Sequence, residues 1–301
     1  MWDLIIVGSG PAGLTAGIYA ARYKLKTLII GKGLGGAASE ASKIENWPGI
    51  KEISGLDLMN TFKEHVSSFG VKVVPENVVD IRGAKVFEVE TEANKRFKSK
   101  TVILALGTER RKLNIPGEDE FLGRGVSYCA VCDAPLFRGK TVAVIGGRNA
   151  AAMAALLLAQ YADKVYIIYR RAKLRCDPIF CDRIKNKKIE VVYNALPKEV
   201  LGDALVRSLI IDKKGKGQKI KLDGVFVEIG SIPSTDLTKK LKLKLYKEGF
   251  IVVKEDMSTN VRGVFAAGDI TTGSSKLRQI VTAAAEGAIA ADSVFNYLQK
   301  C

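Results

Sequence analysis

The sequence predicts a mixed α/β protein, and two observations predict it. The first is a repeated opening. Asp3-Leu4-Ile5-Ile6-Val7-Gly8-Ser9-Gly10-Pro11-Ala12-Gly13 recurs in kind as Thr141-Val142-Ala143-Val144-Ile145-Gly146-Gly147-Arg148-Asn149-Ala150-Ala151. Each is a β-branched apolar run of strand length, then a glycine-rich turn, then good helix formers, which is how a Rossmann βαβ unit begins. The second is a pair of buried-strand patterns ending in glycine turns, Thr101-Val102-Ile103-Leu104-Ala105-Leu106-Gly107-Thr108 and Gly263-Val264-Phe265-Ala266-Ala267-Gly268-Asp269, on either side of the second copy. Together they predict two Rossmann-like nucleotide-binding domains, the second inserted in the first.

The elements follow in order. After the first turn a helix is expected over about 13–23 and a strand over 26–30. Pro116-Gly117 breaks the chain before the second copy, whose helix is expected over about 149–161 and whose next strand is 165–169. Lys213-Lys214-Gly215-Lys216-Gly217 reads as a hairpin tip. Ile232-Pro233 breaks the chain again, and an Ala-rich helix is expected from about 274 to 297. The boundaries drawn are 1–113 plus 233–301 for one domain and 114–232 for the other, and two chain crossings would make a hinge.

Composition sets the outer limits. A chain of 301 residues suggests two domains, and 47% hydrophobic with 26% charged residues is ordinary for a soluble globular protein. Met1-Trp2-Asp3 leads straight into an apolar run with no basic leader. The apolar stretch 150–159 is too short to span a bilayer. A cytoplasmic location is expected, with no membrane or nucleic-acid partner. The net charge of +15 is dominated by lysine, and glutamine is confined to Gln160, Gln218, Gln279 and Gln299. A lysine-rich surface of the kind common in thermophiles accounts for most of it; recruitment of acidic partners is the competing account. Five cysteines, an odd number, do not make a secreted disulfide framework. One CxxC beside a single histidine, His65, cannot supply the four ligands of a closed zinc site, so no metal is expected.

Gly8-x-Gly10-x-x-Gly13 stands between a strand and a helix, the context that gives the motif meaning. Gly8 permits the tight turn, Gly10 lets backbone approach a pyrophosphate, and Gly13 lets the helix pack against the strand. The helix N-terminus favours the phosphate charge. Where an acidic residue usually holds a ribose hydroxyl, this chain has Gly31-Lys32. Cys129-Ala130-Val131-Cys132-Asp133 spaces two sulfurs for a reversible disulfide, and a helix start would favour the thiolate. Asp133 could carry protons for the dithiol step. A metal half-site or two structural thiols are the alternatives.

The residues now in hand resemble those of the low-molecular-weight thioredoxin reductases, flavoproteins of the pyridine nucleotide-disulfide oxidoreductase type. Gly8-Ser9-Gly10-Pro11-Ala12-Gly13, Glu45-Asn46-Trp47-Pro48-Gly49, Cys129-Ala130-Val131-Cys132-Asp133, the Gly263–Asp269 segment and Arg278-Gln279 occur in that family's order along nearly the whole chain. The resemblance implies two domains of three-layer ββα type and FAD at the first fingerprint. It implies FAD contacts from Gly8, Ser9, Gly10, Pro11, Ala12, Gly13, Asn46, Gly107, Gly268, Asp269, Arg278 and Gln279. It also implies that Cys132 faces the flavin, that Cys129 attacks a disulfide on a thioredoxin-like or glutaredoxin-like protein, and that Asp133 is the acid–base residue. A homodimer and a rotation of the inserted domain about its two connections are further implications.

The second fingerprint departs from the family pattern. A third glycine is expected after Gly146-Gly147, and Arg148 stands there; its Cβ and long cation should obstruct the pyrophosphate unless it points outward or pairs with a phosphate. The acidic residues usual further along are replaced by Ala151-Ala152-Met153-Ala154-Ala155. In favour of NADPH, Tyr169-Arg170-Arg171-Ala172-Lys173-Leu174-Arg175 matches the family's HRRxxxR segment except at Tyr169. Arg148 with Gly146, and Arg170, Arg171 and Arg175 for the 2′-phosphate, are the candidate NADPH contacts. Two other readings stay open. One is a ferredoxin donor, steered by the eight cations Arg170, Arg171, Lys173, Arg175, Arg183, Lys185, Lys187 and Lys188. The other is a non-catalytic flavin-binding redox sensor.

The rest carries less. His65 falls in an amphipathic helical stretch, 58–69, and Trp2 reads as packing. Cys176 and Cys181, with Pro178 between, would not face each other on a straight helix. They read as buried or idle thiols, with an extra disulfide as the lesser alternative. Cys301 ends the chain without a neighbouring motif.

Overall fold

The structure, a computed structural model, describes residues 1–300 apart from 42, 43, 186, 187, 234 and 235, and only the backbone at 231, 233, 236, 248 and 276. The chain divides into two compact units, Met1–Glu109 with Ile232–Cys301, and Arg110–Ser231.

In the first unit the β-branched run becomes β1 (Trp2–Val7), followed by α1 (Pro11–Arg22), β2 (Thr27–Ile30), α2 (Gly55–Ser68) and β3 (Lys72–Val74). A hairpin of β4 (Val78–Gly83) and β5 (Phe87–Thr91) leads to the nine-residue β6 (Arg96–Leu104). The sheet order is β3-β2-β1-β6-β5-β4. β6 serves two ladders: its later residues pair in parallel with β1, its earlier ones antiparallel with β5. The chain then leaves through β7 (Thr108–Arg110) and returns through β16 (Ser231–Pro233), and these two short strands pair with each other. After α6 (Asp236–Lys240), β17 (Val264–Ala266) pairs in parallel with the later residues of β6 on the edge opposite β1, and α7 (Ile280–Gln299) closes the unit.

Two apolar clusters flank this sheet. Leu4, Ile6, Leu14, Ile29, Ile103 and Val294 pack on the side of α1 and α7; Ile5, Val7, Leu28, Ile81, Phe87 and Leu104 pack on the hairpin side. Helices, parallel sheet and antiparallel hairpin make the three layers. α7 begins at 280 rather than the expected 274. Ser274 and Ser275 have φ of 45° and 51°, which no α-helix admits, and Gln279 caps the helix through a reciprocal box with Thr282.

The second unit repeats the plan. β8 (Val126–Ser127) and α3 (Ala130–Asp133) precede β9 (Thr141–Gly146), α4 (Asn149–Leu158), β10 (Lys164–Tyr169), α5 (Pro178–Arg183) and β11 (Ile189–Tyr193). β12 (Ala195–Gly202), β13 (Val206–Lys213) and β14 (Lys216–Lys221) form an antiparallel sheet before β15 (Gly224–Glu228) completes the parallel order β11-β10-β9-β15-β8. Lys213 pairs with Lys216, so the expected hairpin tip is the two residues Lys214 and Gly215, with φ of 55° and 80°. Positive φ at both positions matches the twist of the flanking strands. α4 and α5 cover one face of the sheet and the antiparallel sheet the other. Among the described residues no helix is long and apolar enough to cross a membrane.

Candidate functional site

The first glycine turn lines a cleft of about 1130 Å³ in the first unit. Gly8 has φ +116°, and a Cβ there would stand 2.1 Å from the Ala105 carbonyl oxygen. A Cβ on Gly13 would stand 1.9 Å from the Gly8 carbonyl oxygen, so the turn and the first turn of α1 close on each other. Gly10 differs. A Cβ there would find only the Gly35 carbonyl oxygen, at 3.7 Å. The space above Gly10 is therefore open, and it faces the start of α1, which no side chain caps. An uncapped helix start beside an open glycine suits a phosphate. Gly31 also has its reason: a Cβ would fall 2.6 Å from the Ser9 hydroxyl, which donates to the Gly33 carbonyl. An acidic side chain has no room at that position.

Residues from the other end of the sequence complete the cleft. Gly107, Gly268, Asp269, Arg278 and Gln279 line it together with Gly8, Ser9, Gly10, Pro11 and Ala12. Gln279 Oε1 accepts from Asn46 Nδ2 at 2.9 Å, joining two residues 233 apart in sequence. Arg278 lies 3.9 Å over the Phe250 ring, and its Nε donates to the Asp269 carbonyl. Burial pushes the Asp269 carboxyl above its usual range; the Arg278 charge opposes this and Glu286 adds to it. Glu286 is a buried residue of α7 that the sequence reading missed. Its Oε2 accepts from the Gly268 N–H at 2.8 Å and the Thr271 hydroxyl at 2.9 Å, fixing the loop that carries Asp269. The available signal was a carboxylate flanked by Ala283, Ala284, Ala285 and Gly287 in an Ala-rich helix.

The second glycine turn belongs to the second unit. A Cβ on Gly146 would stand 2.2 Å from the Glu228 carbonyl oxygen, and one on Gly147 would stand 2.4 Å from the Tyr169 ring. Tyr169 thus packs over Gly147. Arg148 is the N-cap of α4 with φ −112° and ψ −171°, close to the −81° and −174° of Gly10 at the N-cap of α1. That backbone conformation suits any L-residue, and Arg148 is exposed. Arg170, Arg171, Lys173 and Arg175 are also exposed. The Arg175 N–H donates to the Gly147 carbonyl at 2.7 Å, which draws the basic segment onto the turn. Asn149 and Asp177 bond each other twice, both at 2.8 Å. Further along, Lys185 pairs with Asp182 and Lys188 bonds the Ala162 carbonyl. Lys187 lies outside the described residues, as does Cys301.

The paired cysteines open α3. Cys129 is its N-cap and is disulfide-bonded to Cys132. The Cys132 N–H donates to Cys129 Sγ at 3.2 Å, and the Asp133 N–H to the Cys129 carbonyl. Ser127, which the sequence reading passed over, accepts from the Cys129 N–H at 3.0 Å. Buried Ala130 and Ala134 anchor the turn. Cys132 is exposed and Cys129 half-buried. Asp133 lines a hollow of about 280 Å³ with Ser127, Leu136, Phe137 and Lys140. Before the pair, buried Glu118 accepts from the Leu113 and Asn114 N–H groups at 2.7 and 2.6 Å and from the Tyr128 hydroxyl. Burial and the Glu118 carboxylate drive the Tyr128 hydroxyl well above its ordinary pKa.

Cys176 and Cys181 differ from expectation. Their sulfurs lie 2.8 Å apart. Cys176 precedes the N-cap Asp177 and is not on the helix, so the straight-helix argument does not apply. Burial, then the Cys181 sulfur, push the Cys176 thiol up to about 12. His65 is exposed on α2, in ring contact with Phe69. Among the described residues no cluster of three or more His, Cys, Asp or Glu could hold a metal ion.

The sequence matches the pyridine nucleotide-disulphide oxidoreductase family over residues 2–287. It is similar to the thioredoxin reductase of Bacillus subtilis, at 39% identity over 305 residues, covering 100% of this chain and 96% of that one. Among solved structures, thioredoxin reductase from Lactococcus lactis superposes with a TM-score of 0.96 at 36% identity, covering all of both chains. The T. acidophilum thioredoxin reductase gives 0.93 at 36% identity, covering 98% of each.

Proposed function

The chain belongs to the pyridine nucleotide-disulphide oxidoreductase family, and from that premise we propose that it is a thioredoxin reductase. In this reading it holds FAD in the first unit and takes electrons from NADPH. It passes them through Cys129 and Cys132 to a disulfide on a thioredoxin-like or glutaredoxin-like protein. The observation that carries the reading is the Cys129–Cys132 disulfide at the start of α3, with Asp133 next in the chain. Thioredoxin reductases match this chain over its full length.

The cleft supports FAD because Gly10 leaves its approach open while Gly8 and Gly13 are closed by backbone. When bound, FAD supplies a two-electron relay between a nicotinamide and the disulfide. The chain's own residues do the rest. Once Cys129 and Cys132 are reduced, the Cys129 thiolate attacks one sulfur of the partner's disulfide. That bond breaks, a mixed disulfide forms, and the partner's other sulfur leaves as thiolate. Cys132 then attacks Cys129 Sγ, re-forms the internal disulfide and releases the partner's second thiolate. Two thiols are oxidised and one partner disulfide is reduced. The Cys132 N–H, already directed at Cys129 Sγ, stabilises the charge on that sulfur. Asp133, next in the chain after Cys132, is the residue that would exchange the proton in this scheme.

Support for NADPH comes from the exposed Arg170, Arg171 and Arg175, the last of which donates its N–H to the Gly147 carbonyl. A ferredoxin donor gains less from the basic stretch, since Lys185 and Lys188 are already engaged. A non-catalytic sensor would leave the cysteine pair without a use. The proposal extends to a homodimer, testable by light scattering.

The test is anaerobic addition of NADPH to the FAD-loaded chain, followed by the visible flavin band. Bleaching is expected. A band unmoved by NADPH or NADH but lost with reduced ferredoxin would overturn the donor. In the Cys132→Ser variant a partner protein should be trapped on Cys129, and undiminished disulfide reduction by that variant would overturn the whole scheme.

A further inference from the structure

We propose that Cys176 and Cys181 form a second, reversible disulfide, closed by exchange with other disulfides, that fastens the basic segment to the second glycine turn. Four observations carry it. The two sulfurs lie 2.8 Å apart, so they need to close by less than about 1 Å to reach disulfide length. Both residues are half-buried, which leaves them within reach of a small reagent. The turn that brings them together is built in: Asp177 is the N-cap of α5, Pro178 its first residue, and the Cys181 N–H returns to the Asp177 carbonyl at 3.1 Å. Finally, the residues beside Cys176 are tied to the glycine turn. The Arg175 N–H bonds Gly147, and Asp177 bonds Asn149 twice.

The chemistry balances without a group that the chain lacks. One of the two thiols, as thiolate, attacks a sulfur of an external disulfide. The external bond breaks, its other sulfur leaves as thiolate and takes a proton, and a mixed disulfide forms. The second thiol then displaces the bound half. Two cysteine thiols become one disulfide, and the external disulfide becomes two thiols. Closure cross-links residue 176 to the first turn of α5 and so stiffens the strap that holds Arg175 over Gly147. On the nucleotide reading of that turn, on which this consequence rests, the closed form presents its cations pre-arranged and binds the 2′-phosphate nucleotide more tightly.

The experiment equilibrates the full-length holoprotein with glutathione disulfide, alkylates free thiols and digests with trypsin. Cleavage after Arg175 and Arg183 isolates residues 176–183 with both cysteines, and cleavage after Arg124 and Arg138 isolates residues 125–138 with Cys129 and Cys132. The expected result is a 176–183 peptide two hydrogens lighter than the dithiol, carrying no alkyl group and restored by dithiothreitol. If the 125–138 peptide is oxidised while 176–183 is fully alkylated, the second disulfide is overturned. The coupling is read separately by NADP⁺ binding, which leaves the flavin oxidised. Under oxidising conditions the wild type should bind at least about fivefold more tightly than Cys176→Ser/Cys181→Ser. Equal affinities overturn the coupling. Absence of binding by either protein overturns the nucleotide reading and the coupling with it, while the peptide masses alone decide the disulfide.

Discussion

Gly10→Ala separates the first turn's structural role from its ligand role. Gly10 has φ −81° and ψ −174°, ordinary for an L-residue. Its added Cβ would meet only the Gly35 carbonyl oxygen, at 3.7 Å, which is normal van der Waals contact. The fold therefore loses only the N-cap preference of glycine over alanine, roughly 0.5–1 kcal/mol. For a unit of this size that lowers the apoprotein Tm by about 1–4 °C. The ligand meets the methyl directly, because the open space above Gly10 is where a pyrophosphate would approach. Forcing a methyl into a fitted contact costs about 1–3 kcal/mol, so FAD affinity should fall roughly 5- to 150-fold. Apoprotein is prepared from both chains, FAD is titrated against its fluorescence, and calorimetry gives Tm. Gly13→Ala is the contrast: its Cβ would lie 1.9 Å from the Gly8 carbonyl oxygen, so the apoprotein itself should be lost or severely destabilised. A Gly10→Ala chain that binds FAD with unchanged affinity refutes the assignment of FAD to this turn.

Glu286→Ala orphans the Gly268 N–H and removes a partner of Thr271. A buried unpaired donor and the lost packing cost about 2–4 kcal/mol together, so Tm should drop by roughly 4–16 °C, with Glu286→Gln much milder; calorimetry reads both. Asp269→Asn should stabilise the apoprotein at neutral pH and loosen FAD. Because the folded pKa of Asp269 lies above its unfolded value, the folded state binds the proton more tightly. The penalty is complete above the folded pKa and absent below the unfolded one; denaturant midpoints across pH should therefore show the gain at pH 7 and lose it in acid. Arg170→Ala/Arg171→Ala should raise KM for NADPH about tenfold or more while leaving KM for NADH unchanged, the cost of losing charged contacts to a 2′-phosphate; steady-state kinetics with both donors checks it.

Much of this was legible in the sequence because it is written in local patterns. The glycine turns, the strands leading into them and the cysteine pair each occupy a few consecutive residues. The repeated opening was enough to announce two units of one design, and the Lys-Gly tip of the β13–β14 hairpin was visible as turn chemistry. What the sequence hid depends on tertiary placement. Nothing local shows that Glu286, 18 residues from Gly268, bonds its N–H, or that Asn46 meets Gln279. The later start of α7 depends on two serines with positive φ, a conformation that composition does not announce. Arg148 departs from the motif's glycine through its side chain alone; its backbone is ordinary, as at Gly10. Cys176 and Cys181 would face apart on one straight helix, but the helix starts between them.

The antiparallel sheet of the second unit ends in an open edge at β14. An uncovered edge is a template for another copy's strand, and long apolar ones seed aggregates. β14 reads Lys216-Gly217-Gln218-Lys219-Ile220-Lys221, with only Ile220 buried. A second copy approaching this edge would bring the same lysines against these, desolvating like charges along the new ladder. Part of the chain's large positive charge thus opposes strand-to-strand pairing at this one edge, and it should show itself in crowded solution rather than in turnover.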